Sequence, residues 1–151
     1  MNLNHIRGTY NHDTLKYLRY NATNEWRNKA LKAANYKCEV SGRKTSKKDY
    51  LVVHHLDRTF DSIVHEAYKK LNLKFYKTID KYSQNELNQL VQLVKEMHKD
   101  VRGMVLTVEI HNRIHKKFGN NAPKEQVLLF KKNFKRYQYQ QKNLHRSIRT
   151  A

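Results

Sequence analysis

Two short β-favouring runs, YLVV at 50–53 and MVL at 104–106, lie about fifty residues apart in a chain otherwise patterned largely at helical spacing. Strands this short and this distant can form only a small sheet, so the sequence predicts an α+β fold that is mostly helical. Helices are predicted over 62–73 (SIVHEAYKKLNL), over 83–99 (SQNELNQLVQLVKEMHK), over TVEIHNRIHKKFG closed by Gly119, and over KEQVLLFKKNFKRYQYQQ after Pro123. The 83–99 segment opens on Ser83-x-x-Glu86, a capping box, and sets Leu87, Leu90, Val91, Val94 and Met97 on one side. A further helix starts at Thr23 or Asn24 and stops near Asn35. Trp26, Ala30 and Ala33 or Ala34 form its apolar stripe, with Trp26 as a core anchor.

A chain of 151 residues holds one compact domain and is too short for two full cores. The predicted organisation is a folded domain over 23–136 with a helical insertion at about 61–101. Residues 1–22, polar and rich in Asn and Tyr without an apolar stripe, are read as an arm that orders on a partner. Residues 137–151 are read as a basic tail, loose beyond about Lys142.

Lys and Arg number 31 against 13 Asp and Glu, a formal charge of +18. That excess is far beyond what solubility requires and points to a polyanionic partner, most simply a phosphate backbone. Charge alone does not separate DNA from RNA or an anionic membrane. The basic residues are spread along the chain rather than gathered on one apolar-backed helix, which argues against a membrane surface. No apolar run approaches the ~20 residues needed to cross a bilayer, and MNLNHIRGTYNHD lacks the apolar core of a secretion signal. The expected location is therefore cytoplasmic. A single cysteine, Cys38, excludes an intramolecular disulfide and any centre of several thiolates, so a bound metal must be held by His, Asp, Glu or Asn.

The histidines carry the chemistry. His54 and His55 end the first predicted strand, where adjacent side chains face opposite ways and can take different roles. His111 and His115 stand at i and i+4 of a helix, their Cβ atoms ~5–6 Å apart, so both imidazoles can turn to one ion; the alternative is contact with solvent or phosphate. His5, His12, His65, His98 and His145 have no partner at ligand spacing and are read as surface or packing residues.

The segment YKCEVSGRKTSKKDYLVVHHL, followed by VLTVEIHNRIHKKFGNN and EQVLLF, resembles the two halves of an HNH endonuclease of the phage and homing type, over about residues 24–134. The resemblance implies a ββα-metal core made of a β-hairpin and a helix, with DNA as partner, in a bacterial or phage-infected cell. It implies His55 as general base, His54 and His111 as ligands of one divalent ion, and His115 as a further ligand or phosphate contact. The implied ion is Mg2+ first, with Mn2+, Ni2+ or Zn2+ as alternatives. Where relatives carry the middle asparagine this chain reads KDVRGMVLT and offers Asp100 or Arg102. At the four positions where many relatives hold a structural zinc it has Cys38, Ser41, Thr107 and Ile110, so no structural zinc is expected.

Basic residues surround these motifs. Arg43, Lys44, Lys47 and Lys48 precede the first strand and Arg58 follows it, while Arg113, Lys116 and Lys117 flank the helical histidines. Lys131, Lys132, Lys135 and Arg136, with Tyr137 and Tyr139, give the last helix a basic and aromatic segment that fits a groove or simply faces solvent. Such contacts position DNA without reading sequence. Two rival readings are a basic DNA- or RNA-binding protein without catalysis and a protein in which four histidines hold zinc purely for folding.

Overall fold

The structure, a computed structural model, describes residues 12–150; side chains at 137–139, 141 and 147–150 lie outside the description. In order, the elements are α1 (Thr14–Ala33), β1 (Leu51–His55), α2 (Phe60–Leu71), a 3-10 turn (Ile79–Lys81), α3 (Gln84–Met97), β2 (Gly103–Thr107), α4 (Val108–Phe118) and α5 (Lys124–Thr150). The protein is α+β and mostly helical, with one antiparallel sheet of two strands. Instead of the one expected core the described residues form two units, 12–29 with 58–101 and 30–57 with 102–150, each with its own apolar cluster.

The first unit joins the expected insertion to the N-terminal segment. Tyr17, Leu18 and Ala22 of α1 pack with Ile63, Val64 and Ala67 of α2 and with Leu87, Leu90 and Val94 of α3. The reading of residues 1–22 as a polar arm is therefore corrected from Thr14 onward; residues 1–11 lie outside the described region. The buried positions Thr14, Tyr17, Leu18, Ala22 and Thr23 do follow helical spacing. Threonine, tyrosine and alanine carry most of that face, so it does not stand out as an apolar stripe. Long-range bonds anchor the start of α1: Thr14 donates from its backbone N to the Lys77 carbonyl (2.9 Å) and from Oγ1 to the Tyr76 carbonyl (2.7 Å).

The capping box of α3 forms as expected, with Ser83 Oγ accepting from Glu86 N at 3.1 Å and Glu86 Oε1 from Ser83 N at 2.9 Å. Just beyond α3, His98 is fully buried, and its Nδ1 donates to the Val94 carbonyl at 2.7 Å. Burial holds its pKa below the ordinary 6.5, more than offsetting the bond to Val94, with the Arg58 and Arg19 charges acting in the same direction as burial. The unfolded chain thus takes up this proton first as pH falls. Stability is full above pH 6.5 and erodes as pH drops from there toward the folded pKa. Denaturant midpoints are expected to be lower at pH 5 than at pH 7.5, with a shallower decline in His98→Gln. An identical pH slope in that variant contradicts the role given to His98.

In the second unit, β1 and β2 pair in the register Leu51↔Thr107 through His55↔Gly103. Met104, Val105 and Leu106 are fully buried, and Ile110 and Ile114 of α4, Cys38, Val40 and Val127 complete the cluster. Thr107 caps α4 by accepting from Ile110 N at 3.4 Å. Helix α5 docks through Val127, Phe130 and Phe134, at i, i+3 and i+7. It continues to Thr150 in place of the loose tail, since no Gly or Pro interrupts residues 124–150. No helix among the described residues is long and apolar enough to cross a membrane.

Candidate metal centre

Strand β1 delivers His54, and helix α4, which follows β2 without a loop, delivers His111 and His115. The period of α4 puts Ile110 and Ile114 into the core and leaves His111 and His115, each one residue later, beside it. The His54 ring centroid lies 5.5 Å from that of His111 and 5.3 Å from that of His115, and the two α4 rings are 4.3 Å apart. One ligand nitrogen from each of the three falls within 4.8 Å of the other two, and this is the group among the described residues able to hold a metal ion. His55 is partly exposed and stands outside the trio, as strand alternation requires of neighbours.

The protonation pattern suits a ligand set. His115 Nδ1 lies 3.0 Å from the Gly119 carbonyl oxygen. A carbonyl only accepts, so Nδ1 carries a proton, and Nε2 is the ring nitrogen that faces the cluster. His115 Nε2 and His111 Nε2 are 2.9 Å apart and share a hydrogen bond; to bind one tetrahedral zinc, each at ~2.1 Å, they would give up that proton and part to ~3.4 Å. His54 Nε2 is buried with no hydrogen-bond partner. Burial first and the nearby His115 second push the His54 pKa down to about 4, so the ring is neutral at pH 7. An orphaned buried nitrogen costs ~1–3 kcal/mol, and an ion shared with the α4 pair would satisfy it. The donor set therefore fits a divalent ion held by three imidazoles.

Gly119 both ends α4 and fixes the His115 ring. Its N–H donates to the His115 carbonyl at 2.8 Å, and its φ of 83° and ψ of 177° belong to a region open essentially to glycine alone. Nothing lies within 4 Å of an added Cβ, so the penalty of Gly119→Ala is conformational. We expect ~1–3 kcal/mol of destabilisation in thermal unfolding; an unchanged Tm contradicts the strained backbone.

The end of the strand pair from which the insertion leaves is pinned by a residue the sequence did not single out. Asp57, two residues past His55, accepts from the backbone N of Arg102 through Oδ2 at 2.7 Å and pairs with Lys124 through Oδ1 at 2.7 Å. Leu56 N also donates to the Arg102 carbonyl at 3.0 Å. Thus Arg102, one of the two residues offered for the middle asparagine, contributes its backbone to this closure, and the side chain comes from Asp57. The Lys124 ion pair first and the Arg102 N–H second hold the Asp57 carboxyl below its usual range. Glu39 clamps the same strand, exchanging bonds with Val105 at 2.8 and 2.7 Å.

Of the other expected residues, Arg43 and Arg113 line one small cavity of about 110 Å3 with Asp49 and Glu109. Arg113 donates to Glu109 at 2.7 Å, which leaves Glu109 occupied outside the imidazole trio. Lys44, Lys47, Lys48, Lys116 and Lys117 are exposed, as are Lys132, Lys135 and Arg136 on α5. Lys131 is partly buried, 4.0 Å from Glu39. Arg58 belongs to the first unit and is committed to Glu66 at 2.6 Å and to Ser62. The side chains of Tyr137 and Tyr139 lie outside the described residues. Cys38 and Ile110 are buried, and Ser41 N donates to Cys38 Sγ at 3.4 Å. No protein-family model matches the sequence, and no curated protein or solved structure is significantly similar to it.

Proposed function

We propose that the chain is a metal-dependent DNA endonuclease of the HNH type that hydrolyses phosphodiester bonds by a one-metal mechanism. The observation that carries this reading is the convergence of His54, His111 and His115 from a hairpin strand and the following helix, with His55 adjacent to the trio in sequence but not part of it. Three ligands on a centre that can take four or more leave positions for substrate and water, as catalytic sites do and closed structural sites do not. That count weighs against the reading in which four histidines hold zinc for folding.

A divalent ion bound to this trio supplies Lewis-acid neutralisation of charge on the scissile phosphate and the departing 3′-oxygen. With three nitrogen donors and no carboxylate, the trio favours Zn2+, Ni2+ or Mn2+ over Mg2+, which prefers oxygen. His55 acts as the general base: its imidazole, near-neutral in ordinary pKa, accepts a proton from water as the new P–O bond forms. His54 stays neutral and holds its lone pair in place, and Gly119 orients the His115 ring. Asp57 and Glu39 keep β1 and β2 in register so that residues 54 and 55 present to opposite sides. The exposed lysines beside α4 and on α5, within a chain of charge +18, bind the backbone without selecting sequence.

The test is cleavage of supercoiled plasmid by purified protein supplied in turn with Mg2+, Mn2+, Ni2+ and Zn2+. Nicked or linear product that depends on the ion and is stopped by chelator is expected. Tight DNA binding with no product under any of the four ions would leave a non-catalytic nucleic-acid-binding protein.

A further inference from the structure

The first unit holds a pocket that the nuclease chemistry does not use. It encloses about 310 Å3 and is lined by Glu25, Trp26, Lys29, Lys95, His98 and Lys99, from α1 and the C-terminal end of α3 with its cap. That volume is within the ~300–1,000 Å3 of small-ligand sites. Its aromatic wall is held in place. Trp26 Nε1 donates to the Val101 carbonyl at 2.8 Å, and the indole meets the buried His98 ring at 66° with centroids 5.2 Å apart. Trp26 thus serves as the core anchor expected of it while part of its ring stays accessible to the pocket. Lys29 and Lys99 are exposed and Lys95 is partly so. Lys95 pairs with the exposed Glu25 at 2.7 Å and Lys99 with Glu96 at 2.8 Å, both exposed pairs that a phosphate can displace at little cost.

A fixed indole beside three ammonium groups is the combination that takes an aromatic base on the ring and its phosphates on the lysines. We infer that this pocket binds an unpaired nucleotide of a nucleic-acid strand, stacking its base on Trp26 and gripping the flanking phosphates with Lys29, Lys95 and Lys99. The inference deepens the endonuclease reading and rests on its assumption that nucleic acid is the partner. It adds that the protein prefers DNA with a single-stranded stretch over uniform duplex. A duplex keeps its bases stacked in its own helix and offers the pocket only phosphate.

Trp26 is the chain's one tryptophan, so its fluorescence reports this pocket alone. The experiment titrates the intact protein, without divalent ion, with (dT)12, with a blunt 12-base-pair duplex and with the mononucleotide dTMP, following Trp26 emission and, for labelled strands, anisotropy. The expected result is saturable quenching by (dT)12, with much less quenching by duplex at equal occupancy and weak, non-saturating quenching by dTMP. Trp26→Leu should weaken (dT)12 binding about fivefold or more, with Trp26→Phe recovering part of the loss. Because Trp26→Leu can disturb the core, the exposed pair Lys29→Ala with Lys99→Ala provides a second arm, expected to lower the salt dependence of binding by about two charges. Unchanged Trp26 emission at saturating (dT)12, or equal quenching by duplex, overturns the inference. Saturation by dTMP at the same concentration as the strand also overturns it, by making the pocket a free-nucleotide site. The two readings fail separately: plasmid cleavage without Trp26 quenching removes only the pocket, and quenching without cleavage removes only the nuclease.

Discussion

If the chain is the endonuclease proposed above, replacing His55 with alanine is expected to lower the rate of plasmid cleavage by about two to four orders of magnitude, the usual contribution of a positioned general base. DNA affinity and divalent-ion affinity should change little. His55 lies outside the imidazole trio and is partly exposed, so its removal opens no core cavity and takes no ligand from the ion. Single-turnover cleavage with saturating enzyme separates the effect from binding. Exogenous imidazole, which can enter the vacated space, is expected to restore part of the rate. Cleavage by His55→Ala at the wild-type rate removes this residue from the mechanism and leaves water activation to another group.

The second large effect concerns the metal. A ligand that binds only the folded state stabilises it by ~4 kcal/mol at a thousand times its Kd. Zn2+ or Ni2+ at such excess should therefore raise the Tm of the wild-type protein by several degrees, and His111→Ala should abolish most of that shift. His111 is the trio member to remove because it is only half-buried, whereas His54 is 5 % exposed and its loss would also cost packing. Chelator should leave the far-UV circular dichroism of the wild-type protein unchanged, as expected of an open site on a fold held by its own apolar clusters. Collapse of the fold on chelation would instead indicate a structural ion. A Tm shift of equal size in His111→Ala would place the ion elsewhere.

Much of the fold and of the centre was legible because it rests on short-range periodicity. The i, i+4 spacing of His111 and His115, the capping box at Ser83 and the closing Gly119 are local signals, and α4 and α3 form where those signals put them. Alternation along β1 likewise predicted that His54 and His55 would part company. What lay beyond the sequence depended on distant partners. The segment 14–22 looked like a polar arm since its buried face is built from Thr14, Tyr17 and Ala22 beside a single leucine, and its anchors at Tyr76 and Lys77 are some sixty residues away. Asp57 gave no sign that it would meet Arg102 across the hairpin, 45 residues on. The basic tail was read as loose from its composition, although an uninterrupted run of helix-compatible residues continued α5 to Thr150.

The most direct test of the central claim is an X-ray absorption spectrum of the protein loaded with one equivalent of Zn2+. Three imidazoles at ~2.0–2.1 Å with one or more oxygen scatterers are predicted, falling to two imidazoles in His111→Ala and staying at three in His55→Ala. Four imidazoles in the wild-type protein, with one lost on replacing His55, would contradict the division between a metal-holding trio and a histidine kept for proton transfer.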